Sequence, residues 1–519
     1  MSDTQGLNAS TDRTALAAWL RRVAAACLLT AIFATPLRAQ TPPDVEALRK
    51  KLDTILTGHG VKGAALGAHV IELPSGRVLY AKGSEKPMIP ASNAKLVVIA
   101  AAYDALGKDF RFETVLGLRG DDLVVIGGGD PTLGDPKLAR ARGESTTALF
   151  HRWAAALKSA GVTSISGRLL VDDSIFEKRW VHPTWPPGQY QEWYEAPIGG
   201  LNFADNCVEV NVAPTQGGAP ASVRLSPPNT LMRIVNQTRS NGKQGPSMRR
   251  TPNSETITVS GPVARDVLLG EVTVTDPGLF FASAMRTALA ARGIRIRGET
   301  QRAVLRGAGG ALPADLRVVA RERTLLADAT LRAGRDSLGM MAEGLIKTLG
   351  AQQSGTGTWS AGAEAVGRFL VKCGVMQGQY QFADGSGLSR SNRLSAEAAT
   401  GVLRHMFAHP AAEAFRACLA VSGGEGTLKR RMRDVTGRVI AKTGYIDGVR
   451  TLAGYVQTRG GTWLAFAFYY NDASNTSVLS GVQDNACRAL VNWGERSGGG
   501  GSVAESAPRG AGRGRARRG

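Results

Sequence analysis

Strand-forming alternation stands near both ends of this 519-residue chain, with helical periodicity between, and few arrangements satisfy both. Ala65–Leu73 and Arg77–Ala81 form two alternating runs joined by Pro74-Ser75-Gly76, a hairpin signal. Arg438–Tyr445, Thr451–Gln457 and Trp463–Tyr470 form the closing set, with a turn at Asp447-Gly448. A sheet begun by the first set and completed by the last makes a mixed α/β domain. Helices are expected from about Ser92 to Leu106, closed by Gly107, and over 278–292, 337–349, 361–373 and 395–408. Residues 111–275 differ: they are rich in Gly and Pro and carry short β-type runs such as Leu123–Ile126 and Cys207–Val212. The expected organisation is a main domain in two parts, 40–110 and 276–495, around a β-rich insertion at 111–275.

The ends read differently from the body. Arg13, Arg21 and Arg22 precede the apolar run Val23–Ala34, and a small residue, Ala39, stands before Gln40. Basic flank, short apolar run and small residue predict a secretory leader over 1–39, hence an exported, periplasmic or extracytoplasmic protein. Residues 496–519 hold six arginines against one glutamate in a Gly/Ala-rich run that cannot pack a core. With the leader and this tail set aside, about +13 of the net charge of +20 belongs to the body. In an exported protein that balance favours anionic wall polymers or membrane surfaces, and no interleaved basic and aromatic stretch asks for nucleic acid. Cys207, Cys373, Cys418 and Cys487 would remain after export, free to pair in three ways or to stay as buried thiols. No CxxC or HExxH element is present, so neither metal nor cofactor is expected.

Ser92 and Lys95 stand three apart at the start of a helix, which puts both on one face. A serine hydroxyl needs a neighbour to take its proton, and a lysine does so once desolvation and nearby positive charge lower its pKa. Alone, the pair reads far more readily as a capping serine and a solvated lysine. Lys442-Thr443-Gly444 changes the weighting. It lies on a strand, where Lys442 and Thr443 offer donors to a terminal carboxylate and Gly444 leaves room for close approach. SxxK joined to a downstream KTG is the signature of β-lactamases and penicillin-binding proteins.

With Gly127-Gly128-Gly129-Asp130-Pro131-Thr132-Leu133, Asp384-Gly385-Ser386-Gly387-Leu388-Ser389-Arg390 and Gly424-Glu425-Gly426-Thr427-Leu428-Lys429-Arg430-Arg431, the sequence resembles the low-molecular-mass class C penicillin-binding proteins, the D-alanyl-D-alanine carboxypeptidase/endopeptidase family. The resemblance implies a β-lactamase/transpeptidase-like domain with a large insertion after the SxxK helix, peptidoglycan stem peptides as substrates and β-lactams as ligands. It assigns Ser92 as nucleophile, Lys95 as base, and Ser337 and Lys442 as the rest of the proton network. The family's Ser-x-Asn falls on Ser337-Leu338-Gly339, so glycine stands where an amide is expected. Asn392, in Ser389-Arg390-Ser391-Asn392, is the candidate substitute donor, and Ser337 also reads as a helix N-cap. A β-lactamase and a catalytically weakened peptidoglycan-binding homologue are the rival readings; the long interval from Ser92 to Ser337 argues against a compact β-lactamase.

Overall fold

The computed structural model describes residues 43–58, 61, 63–241 and 245–494; the expected leader and basic tail lie outside the described residues. The first described element is the helix Pro43–Leu56. The two ends of the chain share one antiparallel sheet, in the order Ala420–Val421, Val439–Ile446, Val449–Gln457, Trp463–Asn471, Ala65–Glu72 and Val78–Lys82. Ala65–Glu72 pairs along its whole length with Trp463–Asn471, so the sheet closes only when the last part of the chain is in place.

Helices cover this sheet. The helix Ala94–Leu106 is apolar on nearly every side, and each residue from Ala94 to Tyr103 is buried. Such a helix must be enclosed by others, and it packs against Leu326–Arg335, Gly339–Ser354 and Trp359–Lys372. Gly107, at φ 80°, ends it in a conformation that glycine adopts without strain.

A second lobe leaves the main domain after this helix. Its five-stranded sheet runs Thr300–Arg302, Leu169–Asp172, Asp122–Ile126, Arg111–Arg119 and Arg317–Leu325. Helices Ala148–Ser159 and Pro277–Ala291 share a core with it through Phe150, Trp153, Phe280 and Phe281. Two three-stranded sheets, drawn from residues between Cys207 and Thr273, complete the lobe. The end expected at residue 275 therefore falls too early. Helix Pro277–Ala291 buries its aromatic face in the lobe, and Arg317–Leu325 pairs antiparallel with Arg111–Arg119. We propose the boundary near Leu325, and two helices on a mixed sheet make the lobe α/β rather than simply β-rich.

The glycine run at 127–129 forms part of the seam. A Cβ on Gly127 would lie 2.3 Å from the Gly200 carbonyl and one on Gly128 2.2 Å from the Glu113 carbonyl, so only glycine fits. Asp130 folds back on Thr132 and accepts from Thr324 Oγ1 at 2.6 Å, while Pro131 packs on Gly344 of the main-domain helix.

Candidate active site

Ser92 sits on a single 3-10 turn, Ala91–Asn93, just before the buried helix. Ala91 has φ 45°, a region that costs a non-glycine residue about 1–3 kcal/mol and persists only when its surroundings enforce it. Three contacts do so. Asn93 Nδ2 donates to Thr451 Oγ1 at 2.7 Å, and that hydroxyl donates to the Pro90 carbonyl at 2.7 Å. From the other side Gly387 presses close, since a Cβ there would stand 1.8 Å from the Ala91 carbonyl. Gly444 belongs to the same clasp. A Cβ on it would meet Thr451 Oγ1 at 2.1 Å, Pro90 O at 2.9 Å and Asn93 Nδ2 at 3.1 Å. This corrects its expected role: Gly444 admits the serine turn, and the room it leaves is filled by the protein itself.

Lys95 is buried, and its Nζ donates to Ser92 Oγ at 3.0 Å and to the Ser386 carbonyl at 2.6 Å. Burial lowers its pKa to about 8 against the opposing charges of Glu343 and Asp384. Lys442 lies fully buried on the strand Val439–Ile446, donating to Ser337 Oγ at 2.7 Å and to the Thr443 carbonyl at 2.8 Å. Burial and then the charge of Lys95 hold Lys442 well below the ordinary lysine value. Like charges in a low-dielectric site oppose each other's protonation, which favours a free amine in the pair.

Ser337 does not cap the helix that follows. The cap position is Leu338 with no side-chain bond, and Ser337 itself, at φ 65°, turns its hydroxyl to Lys442. Its loop is anchored by Arg332, which donates to Asp336 at 2.6 Å and to Asp135 of the lobe at 2.6 Å, and whose carbonyl accepts from Leu338 N.

These groups face a cavity of about 650 Å³ walled by Ser92, Lys95, Ser337, Gly339, Thr427 and Thr443, among others. The lobe supplies part of the wall through Pro186, Gln189, Trp193 and Tyr194, and Tyr445 and Arg390 complete the rim. Thr443 Oγ1 donates to Thr427 Oγ1 at 2.8 Å, which pairs two hydroxyls on one side of the cavity. Lys442, Gly444 and Asn392 are buried behind the wall.

Asn392 is not brought to the site. Its amide donates to Asp384 Oδ1 at 2.6 Å and to the Ser389 carbonyl, and its oxygen accepts from Ala383 N at 2.7 Å and from Asp384 N. An amide so fully engaged has nothing to offer a substrate. Of Ser389-Arg390-Ser391-Asn392, Arg390 reaches the rim, while Ser389 is buried and its hydroxyl meets Thr184 Oγ1 at 2.5 Å.

Sequence reasoning assigns no role to Glu343 and Asp384, yet they shape the floor. Glu343 Oε1 accepts from Ser386 N at 2.6 Å, and Oε2 accepts from Gly385 N at 3.1 Å and Trp359 Nε1 at 2.6 Å. Asp384 accepts from Gly387 N, Ser389 N and Trp185 Nε1. Together they fix the loop whose Ser386 carbonyl holds Lys95. Burial, reinforced by the nearby Asp384 charge, raises Glu343 to about 7.

Residues 48–494 match the model of the D-Ala-D-Ala carboxypeptidase 3 (S13) family. A D-alanyl-D-alanine carboxypeptidase of Actinomadura sp. (strain R39) is 31% identical over 481 residues, covering 86% of this chain and 85% of that protein. The D-alanyl-D-alanine carboxypeptidase DacB of Haemophilus influenzae is 24% identical over 411 residues, 76% of this chain and 82% of that one. The crystal structure of penicillin binding protein 4 from the same organism superposes with a TM-score of 0.68 at 22% identity, covering 86% of this chain and 99% of that chain.

Proposed function

The chain belongs to the D-Ala-D-Ala carboxypeptidase 3 (S13) family, and from that premise we propose that Ser92 is the nucleophile of a serine-type D-alanyl-D-alanine carboxypeptidase. The observation that carries this reading is the pairing of two buried lysines with two serine hydroxyls, Lys95 with Ser92 and Lys442 with Ser337, around one cavity. Ser92 Oγ attacks the carbonyl of the penultimate D-alanine and gives its proton to Lys95. Ser337, oriented by Lys442, passes a proton to the departing amine as the C–N bond breaks and free D-alanine leaves. Water then adds to the acyl-enzyme and restores Ser92. Thr443, paired with Thr427, receives the terminal carboxylate, Lys442 stands behind it and orients Ser337, and backbone amides stabilise the oxyanion. Trp193 and Tyr194 receive the stem peptide from the lobe side.

A β-lactam presents the same carbonyl and carboxylate and acylates Ser92. Complete pairing of both lysines supports an active enzyme over a weakened wall-binding homologue. Cleavage of cross-links, and thus endopeptidase action, belongs to the same acyl-enzyme chemistry. We place the enzyme outside the cytoplasm, where its positive body favours anionic wall polymers. Among the described residues no helix is long and apolar enough to cross a membrane.

Labelling with a fluorescent penicillin tests the assignment. Wild-type protein takes up one covalent label, and Ser92→Ala takes up none while keeping its circular dichroism and melting transition. A folded Ser92→Ala protein that labels fully excludes Ser92 as the nucleophile.

A further inference from the structure

Asp104 lies near the end of the buried serine helix, His405 lies in the last turn of helix Ala396–Phe407, and His409 follows just past its end. Asp104 Oδ1 is 3.6 Å from His405 Nε2 and 3.5 Å from His409 Nε2, and all three ligand atoms lie within 4.8 Å of one another. Zinc bonds of about 2.0–2.2 Å to nitrogen and oxygen set neighbouring donors of a tetrahedron roughly 3.3–3.6 Å apart. We propose that Asp104, His405 and His409 form a binding site for a divalent transition metal of the zinc class, one that pins the end of the serine helix to helix Ala396–Phe407.

Three observations support the site beyond spacing. His405 Nε2 is buried without a hydrogen-bond partner, a condition folded proteins rarely leave unexplained. Its ring is held edge-on to Phe369 at 5.6 Å, so its direction is fixed before any ion arrives. His409 borders an open groove of about 690 Å³, which gives the ion a path in. Two imidazoles and one carboxylate suit zinc, cobalt or nickel better than the all-oxygen preference of calcium or magnesium.

Two contacts must yield. Lys372 Nζ donates to Asp104 Oδ1 at 2.6 Å, but its side chain is 58% exposed and can swing into water when a dication replaces it. His409 Nδ1 accepts from Ala411 N at 3.1 Å, which places the neutral ring's proton on Nε2. Metal binding moves that proton to Nδ1 and surrenders the bond, a cost of about tenfold in affinity. About 18 Å of helix separates the site from Ser92, so its effect is on stability and not on the chemical step.

The test uses the tag-free full-length chain, stripped with a chelator and titrated with Zn²⁺ by calorimetry. One equivalent binds and Tm rises. His405→Ala and His409→Ala each weaken binding by about a hundredfold or more, at or beyond the ten- to hundredfold typical for loss of an outer-sphere partner. Both keep the penicillin acylation rate. Lys372→Met, freed of the competing ammonium, binds about tenfold more tightly, whereas Cys373→Ser binds as wild type does. Co²⁺ gives the visible bands of a tetrahedral site in the wild type, Lys372→Met and Cys373→Ser proteins, and in neither histidine variant. Absence of uptake, or uptake unchanged in both histidine variants, overturns the proposal.

Discussion

Lys95 and Lys347 are both buried in the main domain, and burial lowers each to about 8, yet their direct contacts differ. Lys347 rests on the face of Trp359, 3.6 Å from the ring centre, donates to the Arg179 carbonyl at 2.7 Å and stands 3.6 Å from Glu177. Carboxylate, aromatic face and carbonyl together serve its charge, as a structural cation requires. Lys95 donates to a serine hydroxyl and one carbonyl and opens on a cavity; Glu343 and Asp384 act on it only through space, and a second lysine, Lys442, stands near. Burial and a lowered pKa therefore do not separate a structural lysine from a reactive one. What the ammonium faces does.

Exchanging both lysines puts this to the strongest test. Lys95→Met removes the proposed base and lowers the acylation rate by about 10²–10⁴-fold, the usual contribution of a positioned acid–base group. Lys347→Met keeps the acylation rate and alters Tm instead, since an apolar side chain of similar length still fills the space beside Trp359. Stopped-flow acylation and thermal melts on both variants decide it; a Lys347→Met protein as slow as Lys95→Met ends the distinction.

The pH profile gives the next largest effect. Below about 8 Lys95 is protonated and has no lone pair; above it the amine is free. Acylation by a neutral β-lactam accordingly rises about tenfold per unit toward that value and then levels. A flat profile from pH 6 to 9 removes Lys95 as the titrating base.

Glu343→Gln probes how Lys95 is held. The new amide turns a donor toward Ser386 N, Gly385 N or Trp359 Nε1, all of which are donors themselves, and the loop carrying the Ser386 carbonyl must shift. Acylation falls about tenfold, in line with one lost charge-assisted bond. Glu343 also favours the charged form of Lys95, so its removal moves the midpoint of the pH profile downward. A purely structural role changes Tm and leaves that midpoint in place.

These comparisons mark what the sequence could disclose. Ser92 and Lys95 were legible because three residues of helix bring them together, and Lys442-Thr443-Gly444 because a strand displays it. The pattern of strands at both ends announced the shared sheet. Arg317–Leu325, dense in charge and half exposed, carried no sign that it would pair with a strand two hundred residues earlier. Glu343 was hidden for the same reason, since its work depends on backbone amides of a loop that only folding brings near. Gly444 was visible, but its neighbours Thr451, Pro90 and Asn93 were not, and its purpose was read in the wrong direction.

The smallest predicted effect concerns Gly339, the cavity position where the family pattern expects an amide. Gly339 is the first residue of helix Gly339–Ser354 and lines the cavity beside Ser337. A Cβ there would meet Ser386 Cβ and the Tyr194 carbonyl at 3.4 Å each, ordinary contact, so a Cβ fits without moving the floor. Asn392 does not stand in for it, because all its polar atoms are engaged within its own loop. Gly339→Asn therefore adds an amide to the cavity without displacing another. One good hydrogen bond contributes about 0.5–1.5 kcal/mol net, which is about a two- to twelvefold gain in acylation when the bond is made in the transition state. Rates on a D-Ala-D-Ala peptide measure it, with Asn392→Ala as the companion variant, whose cost should appear in Tm because Asp384 loses a partner. A Gly339→Asn enzyme no faster than wild type shows that the cavity already serves the substrate carbonyl. The paired lysines and serines, with Thr443 and the backbone amides, would then suffice.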